Sequence, residues 1–211
     1  MKPILFNTDM VRAILEGRKT VTRRVVKLKY SNTHLEMFTN KYGTRLIEKQ
    51  NEVLGVTTIK NPDGTTTHRL LACIEKTPPY RPGDILYVRE TWGRYDIDHV
   101  IDGRKYFYKA DATAESERYR RDFGYMWHPS IHMPREAARI FLRVTDVQVE
   151  RLRDIDDDGI IAEGLEIGAP FDELWDSTIK PADRALYAWD ANPWVWAIAF
   201  ERCEKPEGGT E

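Results

Sequence analysis

Six basic residues between Arg18 and Lys29, with no acid among them, are the first feature with chemical consequences. They are Arg18, Lys19, Arg23, Arg24, Lys27 and Lys29. A guanidinium does not give up its proton but pairs well with phosphate, so Arg23 and Arg24 read as ligand-facing groups rather than catalysts. Trp92, after Val88-Arg89-Glu90-Thr91, stands at a strand end where an indole can stack on a base, although a core tryptophan would read the same way. His132 and Arg135, in Ser130–Arg135, border a cleft if the preceding segment folds back onto the body. His128 and His132 are four apart, but Pro129 disfavours a helix there and no third ligand follows at suitable spacing, so no metal site is expected. No Gly-rich phosphate loop, Ser-His-Asp order or catalytic cysteine context is present.

The elements that must position these groups are short. Ile4-Leu5-Phe6 reads as a buried strand, followed by a helix capped at Asn7 or Thr8 with Met10, Val11, Ile14 and Leu15 at helical spacing. Gly17 ends it, and Val21, Val25 and Leu28 suggest extended chain. A hairpin is expected around Asn61–Gly64, flanked by Val53–Ile59 and Thr65–Ile74. The rigid turn Pro78–Asp84 feeds a central strand at Ile85–Val88. Tyr95–Pro134 is polar and weakly periodic, an insertion or lid. Ala138–Val144 and Val147–Val149 form one long strand or a bent pair. Short helices follow at Asp156–Gly164, Phe171–Ser177 and Ala182–Ala188, then a closing strand at Trp194–Phe200. Without βαβα alternation, this pattern argues for an α+β fold, a small β-barrel with short flanking helices.

Composition narrows the class. The 211 residues carry 32 basic and 34 acidic side chains, a formal charge of -2, which excludes a globally basic nucleic-acid coat protein but not a local basic patch. Charged residues make 31% and hydrophobic ones 41%, an ordinary globular balance. No run approaches a membrane span and no secretory leader is visible, so a cytoplasmic protein without membrane partners is expected. Cys73 and Cys203 lie far apart and fit reduced core thiols.

The run Gly17-Arg18-Lys19-Thr20-Val21-Thr22-Arg23-Arg24 is more specific. Gly-x-Lys-Thr-x-Thr-x-Arg closing a helix, then Arg81-Pro82-Gly83-Asp84 entering a strand, resembles the ASCH domain of the PUA-like superfamily. Ala162-Glu163-Gly164 and the Trp/Phe-rich last strand extend the resemblance, which covers residues 1–29, 78–92 and 136–203. It implies one PUA-like domain over 1–204, a small β-barrel with flanking helices and insertions at about 30–77 and 93–135, as in longer, often phage-related members. Residues 205–211 are expected to be a disordered tail. The family binds RNA or modified bases in a cleft. Small members remove the acetyl group from N4-acetylcytidine with a Lys, a Thr and a Glu, which fall here on Lys19, Thr22 and Glu163. The family arginine falls on Arg24.

The resemblance therefore implies a metal-independent, cofactor-free amidohydrolase acting on a nucleoside, modified base or RNA. A non-catalytic reader and a ribonuclease are its alternatives. A threonine hydroxyl needs a neighbour to take its proton, and Lys19 serves if burial or the adjacent Arg18, Arg23 and Arg24 lower its pKa. Glu163 would orient the lysine or protonate the leaving nitrogen. Residues three apart on a strand point to opposite faces, so Lys19 and Thr22 converge only if the chain turns between them.

Overall fold

The computed structural model describes residues 1–30, 33–50, 57–60, 64, 66–69, 74–96 and 103–206. Strand β1 (Lys2–Leu5) leads through Asn7 into helix α1 (Thr8–Leu15). The Asn7 side chain accepts the Met10 amide at 2.8 Å, satisfying a donor that the first helical turn leaves open. Val11 and Ile14 bury the inner face of α1, and Gly17, at φ 77°, turns the chain out of it. The basic run then enters β2 (Val21–Val25).

Three further strands complete the main sheet: β8 (Ile85–Arg89), β11 (Phe141–Arg151) and β12 (Trp194–Cys203). Their order is β1-β8-β11-β12-β2, with β1 and β8 parallel and the other pairs antiparallel. The alternatives left open for 138–149 merge, because β11 is one strand whose register shifts between Val144 and Asp146, a bulge that bends it. Alternation along β12 separates two cores. Trp196, Ile198 and Phe200 join Ile4, Phe6, Val11, Ile14, Leu86 and Val88 inside the curved sheet. Val195 turns outward to Leu152, Phe171 and Trp175. That outer layer comprises α3 (Asp157–Ala162), α4 (Phe171–Thr178) and α5 (Arg184–Tyr187). The fold is thus α+β, as expected.

The expected barrel is not closed: no sheet closes among the described residues, and β12 lies inside the sheet rather than sealing it. The edges β1 and β2 share no ladder, because β1 is four residues long and the chain leaves it at once into α1. A side chain spans the gap instead, the Arg24 guanidinium donating to the Leu5 carbonyl at 2.8 Å. No helix among the described residues is long and apolar enough to cross a membrane.

The first insertion holds a sheet of β3 (Thr33–Asn40), β4 (Gly43–Gln50) and β7 (Ile74–Glu75). It also holds the antiparallel pair β5 (Thr57–Lys60) and β6 (Thr66–Arg69), the expected hairpin. Residues 61–63 of its turn, Cys73 and tail residues 207–211 lie outside the described residues, while Cys203 is a half-buried free thiol. The second insertion is more regular than its sequence pattern indicates. Strands β9 (Trp92–Arg94) and β10 (Tyr106–Tyr108) pair, and helix α2 (Ala114–Asp122) follows. α2 buries none of its residues, so no apolar period marks it; reciprocal Thr113–Ser116 capping does.

Glu48, fully buried on β4, anchors the first insertion to the chain leaving β2. It accepts the Lys29 and Tyr30 amides at 2.8 and 2.9 Å, the Thr33 hydroxyl, and the Lys76 ammonium. Burial alone would raise its pKa; these donors more than offset that and lower it from 4.5 to about 2. A depressed carboxylate pKa gives stability that is present above pH 4.5 and lost as pH falls toward 2, on the order of 3 kcal/mol here. Chemical denaturation of wild type between pH 5 and 2 should show this loss, and Glu48→Gln should be less stable at pH 7 with that part of the slope removed.

Candidate functional site

The seam between β1 and β2 is where the predicted residues meet. In register, Trp196 faces Arg24 and Ile198 faces Thr22. Thr22 and Arg24 therefore share the inner face of the sheet with Trp196, Ile198 and Phe6, and Arg23 points to the outer layer. Lys19 precedes the strand and forms an isolated bridge with Glu163, while the Thr20 amide donates to Ala162 at 2.8 Å. The Lys19 ammonium and the Arg24 guanidinium lie 5.7 and 5.3 Å from the same Phe6 ring centroid.

Glu163 reaches this point from the end of α3. Asp156 caps that helix, accepting the Gly159 amide at 2.8 Å, and two further aspartates fill its first turn. Gly164, at φ 91°, then lets the chain pass close to Lys19. A Cβ there would lie 2.8 Å from Ala13 Cβ and 2.9 Å from Lys19 Cβ. Lys19 Nζ donates to the Glu163 main-chain carbonyl at 2.9 Å and to its Oε2. The other carboxylate oxygen accepts the Arg23 amide at 2.7 Å, next to Thr22. With both oxygens engaged, Glu163 is an orienting carboxylate rather than a free acid.

The Lys19 side chain has no exposure and that of Glu163 has 6%. Burial lowers the Lys19 pKa; Glu163 opposes this, and the Arg24 and Arg23 charges reinforce it. Arg24 is half-buried. Burial also lowers the Arg24 pKa, against opposing contributions from Glu163 and Tyr80. Thr22 is 1% exposed. The arrangement holds a weakened ammonium against a carboxylate, a guanidinium near the same Phe6 ring, and a buried hydroxyl on the adjoining strand.

Of the other expected residues, Arg23 is not ligand-facing: strand alternation puts its guanidinium against Glu150 at 2.6 Å, the Gly159 carbonyl at 3.4 Å and Glu163 Oε1 at 3.5 Å, bracing β2 to β11 and α3. Trp92 is not an open stacking platform. It is 9% exposed, with Tyr106 and His128 rings 5.6 and 4.9 Å away and Met133 beside it, and its Nε1 has no partner among the described residues. His132 and Arg135 are exposed on the 3-10 turns Ser130–His132 and Arg135–Ala137, and neither side chain bonds to Lys19, Thr22, Arg24 or Glu163. Their segment is tied to the seam through Arg89, which donates to Met133 O at 3.1 Å and to Ile131 O and pairs in register with Leu5. Glu90 bonds Arg139 at 2.9 and 3.0 Å. Among the described residues no three His, Cys, Asp or Glu side chains are grouped to hold a metal.

Sequence reasoning missed Phe6 and Tyr80. Phe6 was read only as core, yet its ring carries both cations. Tyr80, in the rigid Pro-rich turn, donates to Pro3 O at 2.7 Å, and burial raises its pKa while the Arg24 charge lowers it. Proximity in sequence gives no signal for either. The chain matches no family model, no curated protein and no solved structure.

A buried ion pair is more costly to break than to replace. Lys19→Met alone leaves the Glu163 carboxylate with only the Arg23 guanidinium, 3.5 Å from its Oε1, and should lower unfolding stability by about 3–5 kcal/mol. Lys19→Met combined with Glu163→Gln should recover most of that loss in urea denaturation. An additive pair would show that the two side chains do not interact.

Proposed function

We infer that this chain is a PUA-like, ASCH-type protein that binds a nucleoside or RNA segment at the β1–β2 seam and hydrolyses N4-acyl cytidine there. The observation that carries the reading is the Lys19–Glu163 pair, buried beside Thr22 with the lysine pKa lowered. Buried charges of this kind cost stability, and they concentrate where chemistry uses them.

In the proposed reaction, substrate displaces Arg24 from the Leu5 carbonyl and reaches the covered lysine. Neutral Lys19 takes the Thr22 hydroxyl proton as the oxygen bonds to the acyl carbon, and the carbonyl π electrons move onto its oxygen. Collapse of that intermediate breaks the C–N4 bond, and the Lys19 ammonium returns its proton to the departing N4. Water, deprotonated by Lys19, then adds to the Thr22 ester; collapse of this second intermediate breaks the acyl–Oγ bond as the Lys19 ammonium returns the proton to Oγ, and the carboxylic acid leaves. Glu163 holds the amine in place throughout. Arg24, displaced but still at the entrance, pairs with phosphate when the substrate is part of a strand.

A second reading rests on the same burial. With Lys19 fully covered, the ion pair serves as a brace and Arg24 alone faces the ligand, giving a reader without turnover. Incubation with N4-acetylcytidine and measurement of acetate separates the two. Hydrolysis should be lost in Thr22→Val, a near-isosteric change, and in Lys19→Ala and Glu163→Gln. Arg24→Ala should mainly raise KM. No acetate from wild type, with binding weakened by Arg24→Ala and by salt, establishes the reader instead.

A further inference from the structure

A second concavity, of about 790 Å³, lies within the 93–135 insertion, and none of Phe6, Lys19, Thr22, Arg24 or Glu163 lines it. Its volume falls in the ordinary range of small-ligand sites, roughly 300–1,000 Å³. Tyr95 and Phe107 from the β9–β10 hairpin, Tyr119 from α2, and Tyr125 and Trp127 from the returning chain form its aromatic wall. These rings hold one another edge to face. Tyr95 meets Tyr125 at 5.5 Å and 89°, and Phe107 meets Trp127 at 5.0 Å and 61°. Phe107 is further fixed by its cross-strand partner Gly93, where a Cβ would come within 2.1 Å of the ring. Rings so placed form a rigid wall, which is what a stacking ligand needs.

The charges at this cavity fall into two groups. Arg120 and Arg139 line it but are already neutralised, Arg120 by Glu117 at 3.0 Å and Arg139 by Glu90 and Asp111. Each also lies over a ring of the same neighbourhood, Arg120 over Trp127 at 5.5 Å and Arg139 over Tyr108 at 3.9 Å. Arg104 and Lys105, just before β10, are exposed lining residues with no ion pair among the described residues. Glu115, in the first turn of α2, is the remaining acid in the lining. Aromatic faces beside two uncommitted cations match a ligand that joins a flat heterocycle to an anion.

We propose that this cavity binds a nucleotide unit, its base stacked on the Tyr95, Phe107, Tyr119 and Trp127 wall and its phosphate held by Arg104 and Lys105. The unit is either a free nucleotide or part of a single strand. This site is independent of the Lys19 chemistry and stands whether or not that reaction occurs.

The test is fluorescence anisotropy of the full chain with dye-labelled penta-adenylate and penta-uridylate at 50 and 200 mM salt, with AMP and UMP as competitors. Tyr119→Ala should weaken binding about 5- to 100-fold, the range for loss of one base–aromatic stack. Arg104→Glu with Lys105→Glu, two exposed positions that do not threaten folding, should weaken it at least about tenfold and flatten its salt dependence. Acetate release from free N4-acetylcytidine, where wild type shows it, should be unchanged in all three positions. Full competition by AMP or UMP at matched nucleotide concentration identifies the free nucleotide as ligand, and binding of the strand alone identifies a strand segment; either supports the proposal. It is overturned if neither probe binds, if both sets of variants leave binding intact, or if Arg24→Ala alone abolishes it.

Discussion

The structure around the seam depends on one buried interaction, the ion pair between Lys19 and Glu163. A lysine with no side-chain exposure loses its hydration, and what replaces water is a single carboxylate together with one main-chain carbonyl. The same carboxylate takes the Arg23 amide, so α3, the turn before β2 and β2 itself are fixed by one side chain. Gly164 permits this approach, since any side chain there would collide with Ala13 and Lys19. The energetic tension is plain: burial disfavours the ammonium and Glu163 favours it, with Arg24 and Arg23 adding to the unfavourable side.

The open sheet explains where this tension is located. A closed barrel has no free edge, whereas β1 and β2 leave backbone groups to be satisfied by other means. Arg24 caps one of them, the Leu5 carbonyl, and lays its guanidinium near the Phe6 ring. A side chain that closes a seam is a reversible closure, unlike a ladder.

The two insertions are stabilised by different physics. The first is held to the body by Glu48, a carboxylate whose four kinds of donor all come from the chain leaving β2 and from the strand region after β6. The second is held by rings and by the Glu90–Arg139–Asp111 network, with Met133 and Ala137 packed under Trp92. Its helix α2 contributes no buried residue. An element that buries nothing is retained for what it presents outward, and here that is one side of an aromatic cavity.

The amino-acid sequence on its own determined the local elements whose signals are local. Asn7 and the Met10–Leu15 spacing specify α1, Asp156 specifies the start of α3, and the apolar runs at Ile85–Val88 and Trp194–Phe200 specify central strands. Lys19, Thr22, Arg24 and Glu163 were singled out by a resemblance carried on residue types and their order, which survive in one dimension. The sequence did not show that Arg23 turns away, since the face of a strand residue is set by its register with β12. Nor did it show that Trp92 is covered, that Arg139 holds Glu90, or that Phe6 lies beneath both cations. Those outcomes depend on which distant segments pack together. Sheet closure is likewise a property of two edges about twenty residues apart, and only the tertiary structure decided that β1 and β2 share no ladder and that a guanidinium reaches across between them.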